Sequence, residues 1–153
     1  MAGEKVNILN RKARFNFQVI EKFDAGIALV GSEVKAVRAG KISLAEAYCK
    51  FQDTELFLMG CHISRYERAS THEAIDPVRP RKLLLRKSQL KRLRGKVTER
   101  GLTIIPLRVY NDRHLIKVEL ALARGKKKVD KREEIKRREA QREARRLRGK
   151  LDL

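Results

Sequence analysis

The chain has 153 residues, 42% of them hydrophobic, with 38 Lys/Arg against 19 Asp/Glu, a formal net charge of +19 and a pI of about 10.5. That length predicts one domain with room for an appendage, and so large a positive charge points to a polyanion, nucleic acid first and an anionic membrane surface second. The first ten residues, MAGEKVNILN, lack the apolar stretch of a secretory signal. No run approaches the roughly 20 apolar residues of a bilayer span, so a cytoplasmic protein without membrane attachment is expected.

Residues 14–20, RFNFQVI, alternate apolar and polar side chains and predict a strand. EKFDAGIALVG follows and reads as a hairpin turning at Ala25-Gly26. In SEVKAVRAG, Ser32 suits an N-cap, Val34 and Val37 lie three apart, and Gly40 suits a C-cap, which predicts a helix over 33–39. Ala47, Cys49 and Phe51 alternate with Tyr48 and Lys50, QDTE is a turn, and LFLMGCHI returns as the partner strand. Residues 64–80 are polar and hold two prolines, predicting a long loop. KSQLKRLRGK, with Leu90 and Leu93 three apart, predicts a second helix ending at Gly95. LTIIPLRVY and LIKVELALA are β-branched strands joined by the turn NDRH.

Six or more short strands with two short helices predict a mostly β fold, a small antiparallel barrel. Barrels of this kind bind oligonucleotides on an outer face. With aromatics at 5% and no Trp, recognition by shape and phosphate contact is expected over base stacking. From Arg124 onward the chain carries 14 Lys/Arg against 6 Asp/Glu, and before it 24 against 13, so both parts are basic. Within the tail, Glu133-Arg137, Glu134-Arg138, Glu139-Arg142 and Glu143-Arg146 are spaced to support a helix. Its apolar positions, Ile135, Ala140, Ala144, Leu147 and Leu151, make too thin a stripe to hold it against the body. The tail is therefore expected to be disordered when free and helical when a polyanion encloses it. Some 20 residues of helix would reach about 30 Å.

The histidines, His62, His72 and His114, are scattered, and no nucleophile-base pair, phosphate-cradling Gly-rich loop or metal-ligand spacing is present. No catalytic residue, metal or cofactor is expected, and the chain does not read as an enzyme. Cys49 and Cys61 read as buried, reduced thiols. The informative clusters are basic: NRKAR at 10–14, RPRKLLLRK at 79–87, and RGKKK at 124–128. Of Leu83, Leu84 and Leu85, strand alternation turns one away from the others.

NRKA, FDAGIALVGSEVKAVRAGK, HISRYERAS, DPVRPRKLLL, GLTIIPLRVY, KVELALARGKK and DKR occur in one order and spacing from about Asn10 to Arg132. As a collinear set they closely resemble the SsrA-binding protein (small protein B) family of bacterial trans-translation. The resemblance implies an OB-like barrel over 1–123 and a basic tail over 124–153 that is helical on the ribosome. It implies a cytoplasmic monomer that binds the tRNA-like domain of transfer-messenger RNA (tmRNA, SsrA RNA). Charged with alanine and carried by elongation factor Tu with GTP, the complex enters stalled ribosomes. There the tail fills the vacant messenger channel near the decoding centre.

By that resemblance the RNA-binding positions are Asn10, Arg11 and Lys12; Asp24, where a Glu is usual; Glu33, Lys35 and Arg38; Arg81 and Lys82; and Leu84 as the outward leucine. An acidic group at an RNA face either accepts from base amino edges or orients a neighbouring cation. In the tail, Gly125 resembles a hinge, followed by Lys126, Lys127, Lys128, Val129, Asp130, Lys131 and Arg132. Family members often carry a ring where this chain has Val129, so the tail's action would rest more on charge. The alternative reading is a ribosome-associated RNA-binding protein or assembly factor; a nuclease would require a metal or base site.

Overall fold

The computed structural model describes residues 5–65, 75–126 and 128–151, with side chains from 131 to 149 in the last segment. In chain order the elements are β1 (Asn7–Leu9), α1 (Arg11–Asn16), β2 (Phe17–Ile27), α2 (Gly31–Arg38), β3 (Ile42–Ser43), β4 (Tyr48–Gln52), β5 (Glu55–Met59), β6 (His62–Ile63), β7 (Arg81–Leu84), α3 (Lys87–Arg100), β8 (Thr103–Asp112), β9 (Leu115–Gly125) and α4 (Lys128–Leu151). Seven strands form one antiparallel sheet in the order β1-β8-β9-β2-β7-β5-β4, and β3 pairs with β6 beside it. The fold is mostly β and antiparallel, as expected, but the barrel is a curled open sheet. β4 comes round to approach β8 without a ladder joining them among the described residues.

The two tight turns are where the sequence placed them. Gln52 pairs with Glu55 and Asp112 with Leu115, and Asp53 and Arg113 take left-handed backbone at φ 56 and 57. The turn expected at Ala25-Gly26 is absent. β2 runs straight through it, and Gly26 pairs with Lys117 on one side and Leu84 on the other. A Cβ on Gly26 would lie 3.2 Å from the Leu84 Cβ, so this glycine serves close strand approach, not a turn. The strand expected from residue 14 begins at Phe17, because Asn10 caps a six-residue helix over the preceding segment.

The return strand LFLMGCHI is split in two. Gly60, at φ +66, breaks it where a Cβ would sit 2.5 Å from the Glu46 carbonyl oxygen, and β6 leaves to pair with β3. α2 ends as foreseen. The Gly40 N–H donates to Val37 O (3.0 Å) and the Lys41 N–H to Ala36 O (2.9 Å), a Schellman closure. α3 does not stop at Gly95. It continues to Arg100 and closes on Gly101 at φ +63, because Leu90, Leu93 and Val97 keep one helical face on the core.

The main core lies inside the curl, with Leu56, Leu58, Leu83, Leu93, Ile104, Val118, Leu120 and Leu122 among its members. Burying a side chain of that size stabilises by about 1.5–3 kcal/mol. A smaller cluster of Ala13, Ile105, Leu107, Ala121 and Ala123 lies under α1. Residues 104–107 are thus buried on both faces of β8, giving an unbroken apolar run. α1 covers one end of the outer sheet face. Among the described residues nothing covers the other end.

Candidate nucleic-acid interface

Strand alternation decides which side chains reach that open end. On β2, Phe23 and Ala25 are buried while Lys22 and Asp24 are exposed; on β7, Leu83 is buried while Lys82 and Leu84 are exposed. The registers align Asn7, Tyr110, Lys117, Gly26 and Leu84 in one row across five strands. At about 4.8 Å per strand the row is roughly 19 Å wide. A second row aligns Leu9, Arg108, Glu119 and Asp24. Leu84 is 51% exposed at the end of the first row. It is the leucine that turns outward, and Gly26 beside it leaves its side chain uncovered.

The face is polar and ordered. The Tyr110 hydroxyl donates to Asp24 Oδ1 at 2.8 Å. Arg108 lies 4.4 Å from the Tyr110 ring centroid and donates from Nε to Glu119 Oε2 at 3.3 Å. Partial burial, then the hydrogen bond to Asp24, push the Tyr110 phenol up to about 12, so it remains a donor. Asp24 thus orients a ring beside a cation, which favours the positioning role for this acid. Lys82 pairs with Glu55 at 2.9 Å, both about half exposed. Such a pair is worth only about 0.2–1 kcal/mol and yields readily to a phosphate.

Three residues expected to touch RNA are interior. Asn10, Glu33 and Arg81 are 4%, 4% and 0% exposed. Asn10 accepts the Ala13 N–H at 3.2 Å and donates to Pro106 O at 2.9 Å, capping α1 and pinning it to β8. Arg81 points inward because its strand neighbour Lys82 points out. Its Nε donates to Glu33 Oε2 (2.7 Å), Nη1 to Cys61 O (2.7 Å) and Nη2 to Pro77 O (3.0 Å). Glu33 also accepts from both sides of the Arg79 fork and from the Val30 N–H. Burial pushes the Glu33 carboxyl up, but the bonds from Arg79, Val30 and Arg81 outweigh it and hold the group below the usual range. Asn10, Glu33 and Arg81 therefore position the α1, α2 and β7 segments from within.

Other expected residues are accessible. Arg11 and Lys12 are exposed on α1, where Lys12 meets Glu46 at 2.9 Å. Lys35 is exposed on α2, and half-buried Arg38 donates to His114 O at 3.2 Å. These groups lie on helices flanking the sheet. Tyr110, Arg108 and Lys117 were not foreseen. Their signal was the polar phase of KVE and LRVY, readable once the NDRH turn sets the register.

At the root of the tail, Gly125 pairs with Phe17 and so continues β9. The Lys126 N–H donates to Asn16 O (2.9 Å), while its Nζ donates to Arg14 O (3.2 Å) and contacts Glu134. Arg138 pairs with Glu134 at 3.0 Å and stands 5.5 Å over the Phe15 ring. Lys131 is half-buried and Arg132 exposed. Lys127 falls outside the described residues, as do the side chains of Lys128, Val129 and Asp130 and loop residues 66–74, which include His72. α4 keeps Ile135 and Leu147 about half exposed, as the thin apolar stripe predicts.

Cys61 is buried as expected, and burial pushes its thiol up to about 11; Cys49 is only half-buried on β4, and its thiol is raised too. Among the described residues no His, Cys, Asp and Glu group could hold a metal ion, and no helix is long and apolar enough to cross a membrane.

The chain is 55% identical over 145 residues to the SsrA-binding protein of Symbiobacterium thermophilum, covering 94% of this chain and 91% of that protein. It is 50% identical over 148 residues to that of Syntrophobacter fumaroxidans, covering 95% and 91%. A chain of the solved structure described as "tmRNA-SmpB: a journey to the center of the bacterial ribosome" matches at TM-score 0.66 and 48% identity, over 80% of this chain and 86% of that one. The model of the SmpB protein family matches residues 7–150, nearly end to end, and with these relatives places the chain in that family.

Proposed function

We propose that this protein is an RNA-binding adaptor of trans-translation. Its sheet face holds the tRNA-like domain of tmRNA, and the complex is delivered to ribosomes stalled without a sense codon. The observation that carries the reading is the open row from Asn7 to Leu84, with Lys117, Arg108 and Lys82 around it, in a chain of net charge +19. A polar face on which cations and carboxylates alternate, with one ring and one outward leucine, suits a folded RNA read by shape and backbone. Membership of the SmpB family, whose solved relative is described with tmRNA and the bacterial ribosome, supports the same partners.

The tail is the ribosomal element in this proposal. The tail begins beyond Gly125, where β9 ends, and its helix enters the vacant messenger channel. Lys126, Lys127, Lys128, Lys131 and Arg132 meet the channel's phosphates. As a helix, the 24 residues of α4 extend about 36 Å. Alanine-charged tmRNA with elongation factor Tu and GTP completes the cytoplasmic complex, and the protein itself performs no catalysis.

Affinity at about 0.15 M salt for the tRNA-like domain of tmRNA, for ribosomal RNA fragments and for plain tRNA tests the reading. Clear preference for the first is the expected result. Equal binding to all three would favour a general ribosome-associated protein, and cleavage of the RNA would overturn the adaptor reading.

A further inference from the structure

A cleft of about 680 Å³ opens between β7 and α3, beside the end of the sheet-face row. One wall carries Lys82 and Leu84 and the other Lys87, Leu90, Lys91 and Arg94. The spacing i, i+4, i+7 puts Lys87, Lys91 and Arg94 along one side of α3, spread over about 10 Å. All three are exposed, and no carboxylate among the described residues pairs with them. The opposite treatment of the same helix is informative. Arg92 and Lys96 are both tied to Glu21 on β2, Arg92 by two bonds of 2.9 and 2.7 Å. The acid at the cleft rim, Glu55, is taken by Lys82.

We propose that this cleft is a second RNA contact, taking one phosphodiester strand of the RNA held on the sheet face; the proposal rests on the RNA-binding reading above. Charge complementarity selects a polyanion. Leu84 belongs both to the row and to the cleft wall, so a strand leaving the sheet passes into the cleft without a gap. There Lys87, Lys91 and Arg94 meet successive phosphates, while Leu84 and Leu90 meet the apolar flank of sugar or base. Three unpaired cations on one helical side give this part of the interface affinity and orientation without base readout.

The test uses the full chain with Lys87→Gln, Lys91→Gln and Arg94→Gln combined. Affinity for the tRNA-like domain RNA is measured against salt, with thermal unfolding alongside. The log-log slope should become shallower by about 2 to 3 units, at roughly 0.7–0.9 per phosphate contact, with unfolding unchanged. A matched loss of three charges at Lys136, Arg145 and Arg148, exposed on α4 and absent from the cleft lining, should change the slope by less than about one unit. Wild-type binding with an unchanged slope in the triple variant overturns the proposal, as does lost association with a protein factor while RNA binding stays intact. If wild type fails to bind, or Lys117→Gln is also without effect, the RNA-binding reading itself falls.

Discussion

Replacing Glu33 with Ala separates a positioning role from an RNA-contacting one. Glu33 is 5% exposed at its side chain and its partner Arg81 is 0% exposed. Removing the acid strands a fully buried guanidinium and frees Arg79. Breaking a buried pair from one side costs about 3–5 kcal/mol. At roughly 2–4 °C per kcal/mol for a chain of this size, the midpoint should fall by roughly 6–20 °C. Urea unfolding followed by far-ultraviolet circular dichroism measures the loss. RNA titration of the remaining folded protein should return an unchanged salt slope, because neither Glu33 nor Arg81 reaches the surface. A stability loss below about 1 kcal/mol would refute the keystone role. A folded variant with a shallower slope would put the pair at the interface instead.

The pH dependence of stability has a defined sign. Arg92 and Lys96 hold Glu21 at about 2 against an ordinary 4.5, and Glu33 is also lowered. The unfolded chain then binds more protons at acid pH, so this stability is intact above about 4.5 and is lost as pH falls toward about 2, which denaturation midpoints from pH 7 to 3 would show. Gly60→Ala, forcing a Cβ to 2.5 Å from the Glu46 carbonyl at positive φ, should cost about 1–3 kcal/mol in urea unfolding. The Glu55-paired cation is a surface group, so Lys82→Ala should make the RNA salt slope shallower by up to about one unit, while Arg81→Ala should unfold the protein without changing the slope of what stays folded. Removing residues 126–153 should leave the body folded and RNA-bound while abolishing tagging on stalled ribosomes; loss of RNA binding in a folded body would contradict the division of labour.

Local features were readable because they depend on near neighbours. The two hairpin turns, the Gly40 helix stop and the lack of an apolar stripe on α4 all follow from residues within a few positions of each other. Glycines misled where the same residue type serves different ends. Gly26 admits the neighbouring strand, Gly95 is simply tolerated in a helix held by Leu90, Leu93 and Val97, and Gly60 splits a strand that hydropathy alone joins.

Composition settled the basic character of both halves, and residue order settled the alternation at the start of β2. It also settled that one of three leucines turns outward. What remained for the tertiary structure was which polar residues lie inside. Asn10, Glu33 and Arg81 look like surface groups in the sequence, and partners up to 96 residues away make them interior ones. The row from Asn7 to Leu84 likewise exists only where β1, β8, β9, β2 and β7 are in register. Strand pairing between distant segments fixes such neighbours through backbone ladders that carry little trace of side-chain identity. A charge count therefore foretells the kind of partner, and only the folded sheet decides which cations face it.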